Sequence, residues 1–478
     1  MPETQLRDQR TSTGHTPPQT IGRPVVVLLA VLVVAALVMI LNETVLSVAL
    51  PALMGDFGVT AATAQWLTTG FMLTMAVVIP TTGFLLQRCT TRTLFLAAMG
   101  LFAVGTLLAV IAPNFLVMLL ARVVQACGTA IILPLLMTTT LHSVPPARRG
   151  TVMGLNSVVI SVAPAIGPTV SGIVVDALGW RWLFGLMLAV TAVVLAIGLG
   201  AVRSGGETRS APLDLGSVLL SLIGFGGLVY GLGSISTVVD GDWIAPVVSL
   251  AVGIAGLTVF VFRQNGLQRH DSALLDLRPF RVGAFRVSVI VVMICMATML
   301  GSVVVLPLYL QGTLGVSVLT TGLLLLPGGL IQGLVSPLVG RLYDSIGPRP
   351  LVIPGAILLA GGQWWLSTMD ASTSTGMVVA RHVVFCVGMA MLMTPLMTLS
   401  LGSLPRELYG HGSAIMNTLQ QLAGAAGTAV MVAAMTIGAR SSMEHGVRIA
   451  FVVGGVLGIV ALVGAVLVKR PQPVPSGR

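Results

Sequence analysis

MLLARVV at Met118–Val124 and MVVARHVV at Met377–Val384 are one phrase written twice: an arginine sunk among aliphatic residues, repeated 259 positions later. The agreement extends outward from both copies. PLLMTTTLHSVP (Pro134–Pro145) is matched by PLMTLSLGSLP (Pro395–Pro405). Pro51, Gly83, Arg92, Asn156 and Gly167 recur as Pro307, Gly340, Arg349, Asn417 and Gly427, at offsets of 256 to 261. Anchors in one order with so little drift predict two copies of one structural unit, of like orientation and related by an axis along the membrane normal.

Composition says what the units are made of. Of 478 residues 55% are hydrophobic and 8% charged, and the mean hydropathy is +0.99. So few charges could not cover the surface of a water-soluble chain of this length. Fourteen apolar stretches of 16 or more residues lie between 24 and 468, most of them near the roughly 20 residues of a spanning helix. The shortest is 351–366. The first is too long for a cleaved signal and is followed by too many others.

The repeat lays the six stretches of 24–201 on the six of 287–468 and leaves two, 215–262, without a partner. The expected fold is therefore an all-α membrane protein of 14 transmembrane helices: two six-helix bundles in pseudo-twofold arrangement plus an inserted two-helix hairpin. The expected domains are a disordered cytoplasmic tail (1–23), an N-terminal bundle (24–202), the hairpin with its flanking loops (203–284), a C-terminal bundle (285–469) and a second cytoplasmic tail (470–478).

Placing the N-terminus in the cytoplasm puts nearly every loop Lys and Arg inside and only Arg181, Arg440 and Arg448 outside. That bias predicts a cell (inner) membrane protein of bacterial type with both termini cytoplasmic. It also makes the net charge of +10 a matter of topology, leaving a nucleic-acid partner without support. Cys89, Cys127, Cys295 and Cys386 have no metal-ligand spacing, and no nucleophile–base constellation is present; no metal, no cofactor and no enzymatic activity are expected.

One carboxylate interrupts the first stretch: Glu43, in LNETVLSVALP (Leu41–Pro51). An acid at this depth costs about 3 kcal/mol and titrates with its surroundings. Glu43 lies seven residues before Leu50, and Arg122 seven after Phe115, so both sit about 10 Å from one surface. Depth permits a pair. A proton-coupling site and a fixed ion pair joining two helices are both open.

LNETVLSVALP, QWLTTGFML (Gln65–Leu73), LLARVVQACGTAIILP (Leu119–Pro134), APAIGPTVSG (Ala163–Gly172) with WRWLF (Trp180–Phe184), and GSAIMNTLQQLAGAAG (Gly412–Gly427) together resemble the major facilitator superfamily, specifically its fourteen-helix drug:proton antiporter branch. The resemblance runs from residue 24 to about 468. It implies alternating access, a monomeric unit, protons and a small-molecule substrate as partners within the lipid bilayer, and an antiporter motif at Pro164, Gly167, Pro168 and Gly172 whose bend prevents leak. Ordinary tight packing is the competing account of that motif. Two departures stand out. The branch carries aspartate where this chain has Asn42. The first gate loop, GFLLQRCTTR (Gly83–Arg92), has Gln87 for the family's acid and Thr90 for its glycine, whereas the second copy, GRLYDSIGPR (Gly340–Arg349), keeps Asp344, Gly347 and Arg349.

Polar residues inside spans are expected to turn inward, away from lipid. Asn42, Gln65, Gln125, Asn156, Gln311, Gln332, Asn417 and Gln421, with Trp66 and Arg381, are accordingly the substrate-pathway candidates; bonding between neighbouring helices, or snorkelling in the case of Arg381, competes at each. Gly83, Arg88, Arg92, Gly340, Asp344, Gly347 and Arg349 are the gating-loop candidates, with a plain solvated loop as the alternative. The function implied is a proton-coupled antiporter exporting hydrophobic drug-like or antibiotic compounds, cationic ones included. A proton-linked importer of the same fold and a non-transporting receptor or scaffold are the alternatives.

Overall fold

The computed structural model describes residues 22–202, 214–235, 243–270 and 272–468; most of the two tails falls outside them. The first six helices are α1 (Arg23–Phe57), α2 (Ala61–Arg88), α3 (Thr91–Val110), α4 (Phe115–Ser143), α5 (Arg149–Leu178) and α6 (Trp180–Ala201). Then come α7 (Leu215–Gly233) and α8 (Ile244–Leu267). The last six are α9 (Gly283–Gly312), α10 (Val318–Ile346), α11 (Arg349–Leu366), α12 (Thr375–Gly402), α13 (Tyr409–Ala439) and α14 (Met443–Leu467). Every apolar stretch of the sequence thus forms a helix. Twelve are long and apolar enough to cross a membrane outright; α5, bent by 46° between Pro146–Pro164 and Thr169–Leu178, brings the number to 13. The 18-residue α11 is not among them.

Short polar residues start many of these helices. Thr60, Thr90, Asn114, Ser317, Ser374 and Ser442 each accept a hydrogen bond from the backbone N–H three residues on, satisfying donors that the first helical turn leaves free. Gly58 (φ 62°) and Gly347 (φ 81°) end α1 and α10 in backbone conformations that a side chain would strain.

The two bundles repeat each other in space as well as in text. The pairs α1–α5, α1–α6, α2–α4, α3–α4 and α3–α6 recur as α9–α13, α9–α14, α10–α12, α11–α12 and α11–α14. One close approach shows how literal the repetition is. A Cβ on Gly128 of α4 would collide with Ala98 and Phe102 of α3, and one on Gly388 of α12 with Gly355 and Leu359 of α11. Glycine at these points lets two backbones touch, which is how helices gain packing where lipid supplies no hydrophobic drive. Each bundle is filled by its own apolar cluster, Leu32, Met39, Phe95, Phe102 and Leu136 in the first and Val292, Val352, Leu359, Met389 and Leu396 in the second.

The bundles meet along two seams, α5 against α10 and α2 against α13, which are equivalent under the repeat. Helices α7 and α8 pack on one another, and α7 lies against both α2 and α13. The outer helices expose rows of aliphatic side chains, such as Val190, Val193 and Ile197 on α6, Val252, Val259 and Phe262 on α8, and Val456, Val463 and Leu467 on α14, a surface suited to hydrocarbon.

Candidate functional site

Arg122 is completely buried and fully occupied on three sides. Its Nη1 donates to Asn42 Oδ1 on α1 (2.7 Å) and to Gln125 Oε1 (2.9 Å), and its Nε donates to the Leu67 carbonyl of α2 (3.3 Å). The guanidinium carbon stands 4.1 Å from the centre of the Phe71 ring, a stacking that favours a cation. Gln125 is fixed in turn: its Nε2 donates to Thr106 Oγ1 of α3 at 3.0 Å. Four helices are thereby tied to one charge.

The direct partner is Asn42, not Glu43. No ion pair joins Glu43 to Arg122 among the described residues; Glu43 is half-buried, one position along, within electrostatic range of the guanidinium. The expected carboxylate–guanidinium contact fails because successive helical residues point about 100° apart. Only one of positions 42 and 43 can face α4, and Asn42 takes that face.

The antiporter motif lies where α5 crosses α1. A Cβ on Gly167 would collide with Thr44 Oγ1, and Ser171 donates to the Val45 carbonyl at 2.7 Å. Pro164 ends the first limb of the 46° bend. Gly172 meets nothing nearby, and the side chain of Pro168 is outside the described set.

Between the bundles is a small cavity lined by Ser157, Ser161, Gln332, Ser336, Met299, Met393 and Met397. Hydroxyls one turn apart on α5 and α10 face thioethers from α9 and α12, a wall that is polar without being charged. Of the pathway candidates only Gln332 lines it. Asn156 donates to Thr140 Oγ1 and Asn417 to its own helix at Ser413. Gln421 reaches Met75 Sδ across the bundle boundary at 3.8 Å. Gln65, near the start of α2, and Gln311, in the last turn of α9, are both exposed. Trp66 is 41% exposed and stacks on Tyr230 of α7. Arg381 makes no described hydrogen bond through its buried Nε and Nη1 and lies over Trp365, 5.6 Å from the ring centre.

The gate loops close one end of the molecule. Asp344 accepts from the backbone N–H groups of Gly150 (2.7 Å) and Thr151 (2.8 Å) and from the Thr151 hydroxyl (2.7 Å), so a carboxylate of one bundle caps the first turn of α5 in the other. Gly340 lies directly against Gly150, and Arg149 donates to Tyr409 Oη at 3.2 Å. On the second seam Gln87 donates to the Glu407 carbonyl at 3.1 Å, and Gly83 lies against His411.

Arg349 donates to the Val468 and Val466 carbonyls and joins α11 to the end of α14 within one bundle. Arg88 lies over Phe84 of its own helix, and Arg92 is half-buried in the first turn of α3. Gly150, Thr151, Tyr409 and His411 were missed in the sequence. Thr151 and His411 occupy matching places under the repeat and could have been found by extending it one residue past Gly150 and Gly410.

A family model for the Major Facilitator Superfamily matches residues 32–428. The chain is 40% identical over 457 residues to the lincomycin resistance protein LmrB of Bacillus subtilis (strain 168), covering 92% of this chain and 95% of that one. It is 30% identical over 411 residues to the multidrug resistance protein B homolog of Mycobacterium tuberculosis (strain H37Rv), covering 85% and 75%. Among solved structures it shares its fold with a double-tryptophan variant of XylE, with a TM-score of 0.68, 16% identity and coverage of 94% and 97%. The human organic anion transporter MFSD10 has the same fold, with a TM-score of 0.66, 15% identity and coverage of 93% and 100%. On these grounds, with the paired bundles and the cavity between them, the chain belongs to the Major Facilitator Superfamily and is a multi-pass membrane transporter.

Proposed function

We propose that this transporter is a proton-coupled antiporter that exports hydrophobic drug-like or antibiotic compounds by alternating access, with lincomycin among its candidate cargoes. All fourteen helices cross the bilayer in this reading, α7 and α8 being an insertion between two six-helix bundles. Both termini face the cytoplasm, and the Asp344 and Gln87 contacts close the cytoplasmic mouth. Relatives named for lincomycin and multidrug resistance support the cargo.

The observation that carries the coupling is the placement of a titratable carboxyl, Glu43, one position from the residue that holds a sealed guanidinium. Arg122 is held through Nε and Nη1 by neutral acceptors, with Nη2 buried and unpartnered, so its anchoring does not require Glu43 to be ionised. Glu43 is then free to take a proton while the outer mouth is open and to lose it to the cytoplasm. Its charge state alters the field at Arg122 and so biases how α1 sits against α4. One proton moving down 100 mV supplies about 2.3 kcal/mol.

Glu43→Gln removes the titration and keeps the shape. In everted vesicles the variant is expected to insert normally and lose at least about 90% of pH-gradient-driven lincomycin uptake; uptake at the wild-type rate sinks the coupling role. A pump-deficient host expressing the chain tests the cargo, by a raised inhibitory concentration for lincomycin.

A further inference from the structure

The second buried-helix arginine has kept its position and lost its partners. Carried along the repeat from Pro51/Pro307, Asn42 falls opposite Thr298, whose hydroxyl is spent on its own helix at the Ile294 and Cys295 carbonyls. Carried on from Arg122/Arg381, Gln125 falls opposite Val384, which has nothing to offer. Carried back from Pro80/Pro337, Phe71 falls opposite Gly328. The space of that ring is taken by the imidazole of His382, with which a Cβ on Gly328 would collide.

Arg381 is left with Nε and Nη1 buried and unpartnered, and His382 Nδ1 is likewise buried and unpartnered. The nearby acids do not answer this need. Asp370 accepts from Ser372 and Thr373 within its own loop, and Glu444, at the start of α14, accepts from the Ala371 N–H of that loop; neither pairs with Arg381 among the described residues. An unpaired guanidinium with donors shut away from water is expensive to maintain. The residue is nevertheless partly exposed, so a ligand can reach it.

We propose that Arg381 anchors a binding site in the C-terminal bundle for an anionic oxygen group, a carboxylate or a phosphate, seated on Nη2, which is not among the buried atoms, and on the free nitrogen beside it, next to the Trp365 ring. A planar guanidinium holds such groups with two parallel hydrogen bonds, and the indole provides an apolar wall for whatever carries the group. The anion is either part of a transported compound or a free inorganic ion. The first case rests on the export reading above; the second does not.

The test uses the purified full-length protein at constant ionic strength, with Trp365 as reporter. Sodium benzoate, benzamide as its uncharged counterpart, and sodium phosphate are titrated separately against tryptophan fluorescence and thermal stability. A saturable response to benzoate or phosphate, absent with benzamide, is expected, with a midpoint at least tenfold weaker in Arg381→Gln. In Trp365→Phe the anion-dependent fluorescence change should vanish while the thermal shift remains. A response to benzoate alone assigns the site to an organic carboxylate; a response to phosphate assigns it to a free anion. No saturable response to either anion overturns the site, as does a wild-type midpoint in Arg381→Gln. A fluorescence change that survives Trp365→Phe also overturns it, and this control applies even if Arg381→Gln does not fold. None of these outcomes depends on whether Glu43 couples to protons.

Discussion

The two seams between the bundles occupy equivalent places under the repeat, but α5 and α10 pack more extensively than α2 and α13, and their chemistry differs. On the α5–α10 seam a carboxylate, Asp344, receives three hydrogen bonds from the start of α5. On the α2–α13 seam the equivalent loop offers Gln87, which donates one hydrogen bond to a carbonyl. What the second seam lacks in charge it gains from outside the bundles. The segment after α8 is tucked under α13: the Asp276 N–H donates to His411 Nδ1 (3.3 Å), and the Leu275 N–H to Gln264 Oε1 of α8 (3.0 Å). Gln264 in turn donates to Ser217 at the start of α7. Helices α7 and α8 thus brace the seam whose own latch is weak. The comparison teaches that two copies of one motif need not carry equal shares of a gate, because a single acid-to-amide difference changes both the sign and the number of bonds available.

The largest effect is expected from the strong latch. Hydrogen bonds to a charged group contribute about 1.5–3 kcal/mol each, so Asp344→Ala should shift the balance away from the closed cytoplasmic mouth by at least tenfold. Maleimide labelling from that side reads it, using a cysteine at Ser161 in a background with the four native cysteines replaced by serine. Labelling at the parent rate would mean that Asp344 is not the latch.

Gln87→Ala should act in the same direction and more weakly. One neutral hydrogen bond is worth about 1 kcal/mol, a several-fold change in the same labelling rate. Equal effects from the two variants would erase the asymmetry between the seams.

The smallest effect is expected at the foot of the brace, where Asp214 pairs with Arg263 at 2.8 Å. The Arg263 hydrogen bond, with that of Ser217, holds the Asp214 carboxyl well below the usual carboxylate range. A depressed carboxyl stabilises the folded state fully above about pH 4 and loses that contribution as pH falls toward the depressed value. Because the pair is largely exposed, Asp214→Asn should cost no more than about 1 kcal/mol at pH 7, read as a small drop in Tm. The difference between variant and parent should shrink in acid; a difference that grows as pH falls contradicts the assignment.

The same contrast shows what was readable. Asp344 stood out because its loop is a copy of another, yet its partners Gly150 and Thr151 are 194 and 193 residues away and carry no chemical mark. Arg122 was evident as a charge among aliphatic residues. Its partner was not, since depth along a helix cannot separate Asn42 from Glu43 and only the rotation of α1 against α4 does.

By itself the sequence determined a membrane chain, fourteen helical stretches and a twofold repeat, because hydrophobic run length and long-period recurrence are properties of the string. Tertiary structure decided which neighbour of each polar residue receives its hydrogen bond, that Arg122 is held by three hydrogen bonds while Arg381 Nε and Nη1 have no partner among the described residues, and that one seam is latched by charge and the other by a brace. Those outcomes depend on helix rotation and on contacts between residues far apart in the chain, where one step along a helix turns a side chain through about 100°.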